Sequence, residues 1–328
     1  MKRFGDGELM EVLNGVSRSF VLTIRALPRP LRRPVGLAYL LARASDTIAD
    51  TAAAPVELRA ECLRSFVGKL DGRGDDVFKT LTGIKPENPA EQYLLANLER
   101  VIAAVEALAD ADRAEIVALL QKITRGQELD LLRFPDAGET RALETAAELN
   151  EYTYLVAGCV GEFWTRICGV HMPRYGRLAA EELCSLGRGF GQGLQLVNIL
   201  RDFPEDIAKG RCYLPMAELR SVGVSAPEEL RRDLRGAEYV FEAWRQEALR
   251  HLEEGRRYIE AVRPWRVRFA CLIPWALGVR TLKMMGEKSP LDQPDRVKVG
   301  RKEVARIMRR AVWGALSNDV VRKWGVEG

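Results

Sequence analysis

Histidine is scarce in this chain, with two in 328 residues, and cysteine is scattered. The six cysteines stand at 62, 159, 168, 184, 212 and 271, and no two form a CxxC pair. That spacing excludes the usual zinc ligand sets and gives no sign of a disulfide scaffold; buried thiols in a reducing compartment are expected. With His171 and His251 the only imidazoles, no Ser-His or Cys-His nucleophile stands out. Any metal must therefore rest on carboxylates, which favours magnesium or calcium over zinc. No apolar run reaches the length of about 18 residues that a membrane-spanning helix needs. The N-terminal "MKRFGDGELMEVL" lacks the apolar core of a signal peptide, so a cytoplasmic protein is expected. Lys plus Arg is 50 against 46 for Asp plus Glu, a net charge of +4. So small an excess argues against bulk nucleic-acid binding. The clusters "RPLRR" (29–33) and "RPWRVR" (263–268) join basic and apolar groups. They leave room for peripheral membrane contact, although ordinary solvated surface is the commoner meaning of such clusters.

Strand alternation and a fixed-period repeat are also missing. What is present is helix. Ala, Leu, Glu and Arg dominate, and apolar residues recur at three and four. Pro34 is expected to open a helix running to about Thr51, where its absent N–H would cost nothing. Further periodic segments cover about 56–70, 89–108, 111–134, 140–169, 175–203, 226–260, 265–285 and 301–323. Turn-rich stretches such as "DGRGDD", "GIKPENP", "RFPDAGE", "HMPRYG" and "GEKSPLDQPD" separate them. The length suggests about two domains, but no linker is long or polar enough to mark a boundary. A single all-α domain over 1–328 is the default.

Two stretches carry the chemistry. In "LLARASDTIAD" (40–50), Asp46 and Asp50 are one helical turn apart and share a face, with Arg43 one turn earlier. In "QLVNILRDFPED" (195–206), Gln195, Asn198, Asp202 and Asp206 form one polar stripe among Leu194, Leu196, Val197, Ile199 and Leu200. Glu205 adds a carboxylate and Arg201 precedes the set. A polar stripe in apolar company must find partners, since burying it bare costs several kcal/mol. Pro204 is expected to bend or end this helix. One DxxxD pair alone is often a solvated helix face. Two pairs in apolar helices make that bland reading less comfortable. If the two helices face each other, the carboxylates repel unless cations sit between them. Magnesium fits, because it takes one or two carboxylates, waters and substrate phosphates. Upstream, "GRGFGQG" (187–193) spaces Gly187 with Gly191 and Gly189 with Gly193. It follows no strand, so a dinucleotide fold is unsupported. The glycines make room either for a neighbouring helix or for a ligand.

Together "SRSF" (17–20), "YLLARASDTIAD" (39–50), "YTYLVAGCVGE" (152–162) and "QLVNILRDFPED" (195–206) resemble the squalene/phytoene synthase family, in order and over about residues 14–285. The resemblance implies a single all-α isoprenoid synthase bundle around a central cavity. It also implies head-to-head (1'-1) condensation of two prenyl diphosphates. By the same resemblance Asp46, Asp50, Asp202 and Asp206 hold magnesium, with Glu205 a further candidate. Arg43, Arg201 and Arg211 contact diphosphate. Ser19 approaches a diphosphate and Phe20 packs on an isoprenoid chain. Tyr152 assists cation chemistry or proton removal. Val156, Ala157 and Val160 are apolar wall positions, Gly191 lines the tunnel, and Gln195 and Asn198 are polar positions before the second motif. The flavour of "SRSFVLTIRALP" and "GRCYLP" leans towards a bacterial squalene synthase, which turns two farnesyl diphosphates through presqualene diphosphate into squalene with hydride from NADPH. Ala270 stands where eukaryotic members carry phenylalanine, so phytoene or dehydrosqualene synthesis is the alternative. A non-enzymatic assembly-factor relative is a rival of another class, and retention of all four aspartates counts against it. Oligomeric state is left open.

Overall fold

Apolar residues at helical spacing become helices along nearly the whole chain. The computed structural model describes residues 4–73, 80–134, 138–292 and 296–327. The side chains of 18–20, 22 and 325–327 lie outside that description. In order the helices are α1 (Asp6–Val16), α2 (Arg18–Ala26), α3 (Arg29–Asp50), α4 (Val56–Leu70), α5 (Pro89–Ala96), α6 (Leu98–Glu106) and α7 (Asp110–Arg133). Then follow α8 (Ala146–Thr153), a wider π-helical turn (Tyr154–Gly158), α9 (Cys159–His171), α10 (Ala180–Ala208) and α11 (Met216–Ser221). The last are α12 (Glu238–Ala261), α13 (Trp265–Glu287), α14 (Arg301–Leu316) and α15 (Asn318–Glu327). Two-residue strands β1 (Arg141–Ala142) and β2 (Arg211–Cys212) pair in parallel. The fold is the all-α class that the periodicity predicts. Among the described residues no helix is long and apolar enough to cross a membrane.

The chain divides into two compact units, Met1–Pro135 with Phe163–Pro173, and Asp136–Glu162 with Arg174–Gly328. In the first, α3 is the centre and packs against α1, α4, α6 and α7. Leu37, Leu40, Leu41, Ala44 and Ile48 on it have no exposed surface. Burying each leucine stabilises by roughly 1.5–3 kcal/mol, so α3 holds its position rigidly and fixes the residues on its other face. In the second unit α10 plays that part, packing against α12, α13 and the π-helical turn.

Several expected boundaries move, each for a local reason. Pro34 does not open α3. The helix starts at Arg29, with Pro30 in its first turn, and Pro34 lies buried inside. Pro30 supplies the helix-initiating signal four residues earlier. Pro204 does not end α10, which continues to Ala208. A proline there forfeits the bond to Leu200 and costs about 3 kcal/mol, but Phe203 and Ile207 on either side are 1% and 2% exposed. Their burial outweighs the cost. The helix ends instead at Gly210, whose φ of +84° suits glycine. The 89–108 segment breaks at Asn97, whose side chain donates to the Tyr93 carbonyl at 2.9 Å and competes with the helix ladder. The 301–323 segment breaks at Ser317, which is extended. The 140–169 segment begins with β1, and its helix starts only after Thr145, whose hydroxyl caps Glu148 N–H at 3.3 Å.

Candidate active site

The first acidic motif lies on α3. Asp46 is half-buried and Asp50 exposed. Asp46 Oδ1 accepts a hydrogen bond from Gln127 Nε2 on α7 at 2.6 Å. Arg43 ion-pairs with Glu91 on α5. Burial, then the charge of Asp50, push the Asp46 carboxyl up to about 7, against the pull of Arg43 and Gln127. Two neighbouring atoms are buried without a hydrogen-bond partner: Arg43 Nε, a donor, and Gln127 Oε1, an acceptor. Such orphans are rare in native interiors. The motif therefore holds a carboxyl driven up by burial and a like charge, and carries unused hydrogen-bonding capacity for both signs of ligand.

The second motif lies at the end of α10 and is differently poised. Arg201 donates to both oxygens of Asp202, through Nε at 2.8 Å and Nη2 at 2.6 Å. Arg296, from the segment before α14, adds a second fork, with Nε–Oδ1 and Nη2–Oδ2 both 2.7 Å. Burial alone would raise the Asp202 carboxyl, but the two guanidinium groups outweigh it and hold the group below the usual carboxylate range. Glu205 is exposed and Asp206 half-buried. The charges of both also act on Arg296. Asn198 is exposed and its amide lies 3.5 Å from Gln195, a weak contact at best.

The remaining predicted residues fall as follows. Ser19 and Phe20 are on α2, but their side chains lie outside the described residues. Tyr152 is half-buried near the end of α8 and stacks on Tyr213, with ring centroids 4.9 Å apart. Val156 and Ala157 sit half-buried in the π-helical turn, a form that recurs at functional sites. Val160 is 38% exposed. Arg211 is half-buried on β2, in register with Arg141. Gly191 is half-buried on α10. A Cβ there would come 2.2 Å from the Ala157 carbonyl oxygen, so the residue serves close packing against the π-helical turn. Gly193 does the same against His251 on α12, where a Cβ would meet the histidine Cβ at 2.8 Å. The glycine ladder of "GRGFGQG" therefore makes room for neighbouring helices.

Four residues escape sequence reasoning: Gln127, Glu91, Arg296 and Tyr213. Gln127 has a signal, since it is a polar residue on the buried side of α7 between Ile123 and Leu131. Tyr213 lies in the quoted "GRCYLP". Glu91 lies in the first turn of α5, beside the turn-rich "GIKPENP", and Arg296 follows the turn-rich "GEKSPLDQPD"; nothing in either stretch pairs them with Arg43 or Asp202. The buried Glu162, which accepts from Arg188 Nε at 2.7 Å and Tyr154 Oη at 3.3 Å, also braces the π-helical turn.

Magnesium is the metal that the resemblance implies, and the residues suit it. At the first motif the donors are hard carboxylate oxygens in a field that wants a cation, with Gln127 Oε1 as an orphan acceptor. At the second, a cation on Asp202 competes with two guanidinium groups, while Asp206 and Glu205 add further oxygens. Among the described residues no three His, Cys, Asp or Glu side chains form a cluster able to hold a metal ion. Magnesium does not require one, because it keeps waters and takes phosphate oxygens beside one or two carboxylates.

A family model described as squalene/phytoene synthase matches residues 13–303. The squalene synthase of Nicotiana benthamiana is 30% identical over 283 residues, covering 85% of this chain and 64% of that protein. The chain spans less than two thirds of the length of such curated relatives. The solved complex of TcSQS with the ligand BPH1237 matches with a TM-score of 0.78 at 25% identity, covering 96% of this chain and 89% of that one. Squalene synthase HpnC from Alicyclobacillus acidocaldarius shares the fold, with a TM-score of 0.60 at 19% identity over 85% of this chain and 92% of its own.

Proposed function

The chain belongs to the squalene/phytoene synthase family, and from that premise we propose that it is a prenyltransferase joining two farnesyl diphosphates head to head, through presqualene diphosphate, to squalene. One observation carries the reading: the Asp46 carboxyl, pushed up by burial and by the charge of Asp50, beside an arginine and a glutamine that each hold an unpaired buried atom. Asp46, Asp50, Asp202 and Asp206, with Glu205, are the carboxylates for magnesium. When bound, magnesium supplies Lewis-acid neutralisation of the leaving diphosphate.

The chain's own residues do the rest. Arg43, Arg201, Arg211 and Arg296 offer guanidinium groups to diphosphate oxygens, so negative charge that grows as the allylic C–O bond breaks meets fixed positive charge. The double bond of the second farnesyl chain attacks the allylic cation, and loss of a proton closes the cyclopropane ring. We assign Tyr152 to assist that proton's departure; the stack on Tyr213, which holds its ring, supports that role. A second C–O ionisation and rearrangement follow, and NADPH, when bound, would supply the hydride that ends the chain as squalene and would leave as NADP+. Val156, Ala157 and Val160 present apolar surface that shields the cation from water.

The test is incubation of the protein with farnesyl diphosphate and magnesium, with and without NADPH, followed by product identification. Squalene with NADPH and presqualene diphosphate without it are the expected products. A C40 product from geranylgeranyl diphosphate, or dehydrosqualene in place of squalene, moves the assignment to the alternative branch. No condensation from either substrate defeats it. Tyr152→Phe, which keeps the stacked ring and loses the hydroxyl, is expected to slow turnover by about 10²–10⁴-fold or alter the products. Unchanged rate and products remove its chemical role.

A further inference from the structure

One side of α14 is exposed and carries no carboxylate. Lys302, Arg306 and Arg309 occupy its first half, and Val312, Trp313 and Leu316 continue the same stripe. The apolar three are far from buried: Trp313 is 67% exposed, Leu316 63% and Val312 44%. The acid nearest in sequence, Glu303, is half-buried and taken by Arg280 Nε at 2.6 Å. Arg306 and Arg309 pair with no carboxylate among the described residues.

The first turn of α13 adjoins this stripe. Arg268, itself 4% exposed, donates from Nη2 to the carbonyl of Gly314 at 3.0 Å. That bond fixes the turn bearing Trp265 and Arg266 beside the residue that follows Trp313. Trp265 is 48% exposed, and the Arg266 guanidinium lies 5.2 Å from its ring centroid. Two half-bare indoles, two aliphatic side chains and a basic flank thus stand exposed on adjoining segments of α13 and α14.

Isolated exposed apolar residues are ordinary, but a contiguous group rimmed by charge marks a contact surface. Indoles favour the boundary between water and hydrocarbon. A basic helix with Trp and Leu on its exposed side is built to lie in that boundary. A second copy of this chain is a poor occupant. A two-fold contact sets the same patch against itself, and that patch offers no carboxylate to meet Arg309 and its neighbours. An anionic layer supplies that negative charge. We propose that this surface rests on an anionic lipid bilayer, with Trp265, Val312, Trp313 and Leu316 in the interfacial layer and Arg266 and Arg309 at the headgroup phosphates.

The test uses the full chain and vesicles of phosphatidylcholine, alone or mixed with phosphatidylglycerol. The protein is expected to sediment with the mixed vesicles, with a blue shift of tryptophan emission, and to be released by salt. Reversing charge in the double variant Arg266→Glu with Arg309→Glu is expected to lower partitioning by at least about tenfold. Trp313→Ser with Leu316→Ser is expected to abolish the blue shift while circular dichroism and thermal midpoint stay unchanged, since both side chains are exposed. Three results overturn the proposal: no sedimentation with anionic vesicles at low salt, equal sedimentation of the Trp313→Ser, Leu316→Ser variant, or concentration-dependent self-association that this variant abolishes in place of vesicle binding.

Discussion

The two aspartate pairs share a spacing and a nearby arginine, yet the structure sets them in opposite electrostatic states. On α3, Arg43 ion-pairs with Glu91, and its pull on Asp46, with that of Gln127, is outweighed by burial and by the charge of Asp50. On α10, Arg201 folds back on Asp202, and Arg296 arrives from far along the chain to join it. The first carboxyl is driven up to about 7 and the second is held low. Spacing therefore places a carboxylate on a face, but burial and the charged groups brought beside it decide its charge. Physically, the first motif asks for a cation, whereas the second already holds two and must exchange one of them to bind metal.

The largest expected effect treats the motifs alike. Asp46→Asn and Asp202→Asn should each lower turnover of farnesyl diphosphate by at least about a hundredfold, the scale of removing a group that stabilises developing charge. Circular dichroism checks that the fold survives. If one variant loses activity and the other keeps it, the shared role is broken at the motif that tolerates the change.

What could be read in advance follows from which forces are local. The limits of α4 are legible because Pro55 precedes it and the Asp71–Gly72 turn closes it, and both signals lie in the sequence beside it. Pro34 misleads because Pro30, four residues earlier, already opens the helix, and Pro204 misleads because the burial of Phe203 and Ile207 overrides the local cost of a proline inside a helix. The same division runs through the site. Asp46, Asp50, Asp202 and Asp206 are legible as spacing on helices. Their charge states are not, since Glu91 lies 48 residues from Arg43, Gln127 lies 81 from Asp46 and Arg296 lies 94 from Asp202. Gly191 is legible as a place where room is needed, but its tenant, the Ala157 carbonyl, follows only from the helix pairing.

Stability should separate the two motifs by sign. A carboxyl whose folded pKa is raised contributes stability that is present below its ordinary value near 4 and is lost as pH rises through about 7. Asp46→Asn removes that loss, so it should raise the thermal midpoint at about pH 8, by roughly 1–2 kcal/mol of stability, and do much less at about pH 5. Magnesium should raise the wild-type midpoint in the same alkaline window and leave the Asp46→Asn variant less affected. Asp202 runs the other way. Its depressed pKa gives stability that is present above the ordinary carboxylate range and disappears as pH falls through the lowered value. Asp202→Asn should therefore lower the midpoint at neutral pH, by about 1 kcal/mol or less because its arginine partners are partly exposed. Thermal scans of both variants across pH read the two signs directly, and equal signs would dissolve the contrast.

The smallest effect bears on Arg296. Its side chain is 46% exposed, and it shares Asp202 with Arg201. Arg296→Ala leaves one fork in place, so screening and the remaining partner should confine the loss of stability to about 0.5 kcal/mol. Its catalytic effect depends on what the guanidinium does when diphosphate is present. If Arg296 only neutralises Asp202, its removal frees a carboxylate for magnesium, and the metal concentration giving half-maximal activity should fall. If it moves to the diphosphate, KM for farnesyl diphosphate should rise about tenfold while the metal requirement stays where it was. A magnesium titration and a substrate titration of the one variant tell these apart, and they decide whether the charge balance at the second motif belongs to the resting protein or to the reaction.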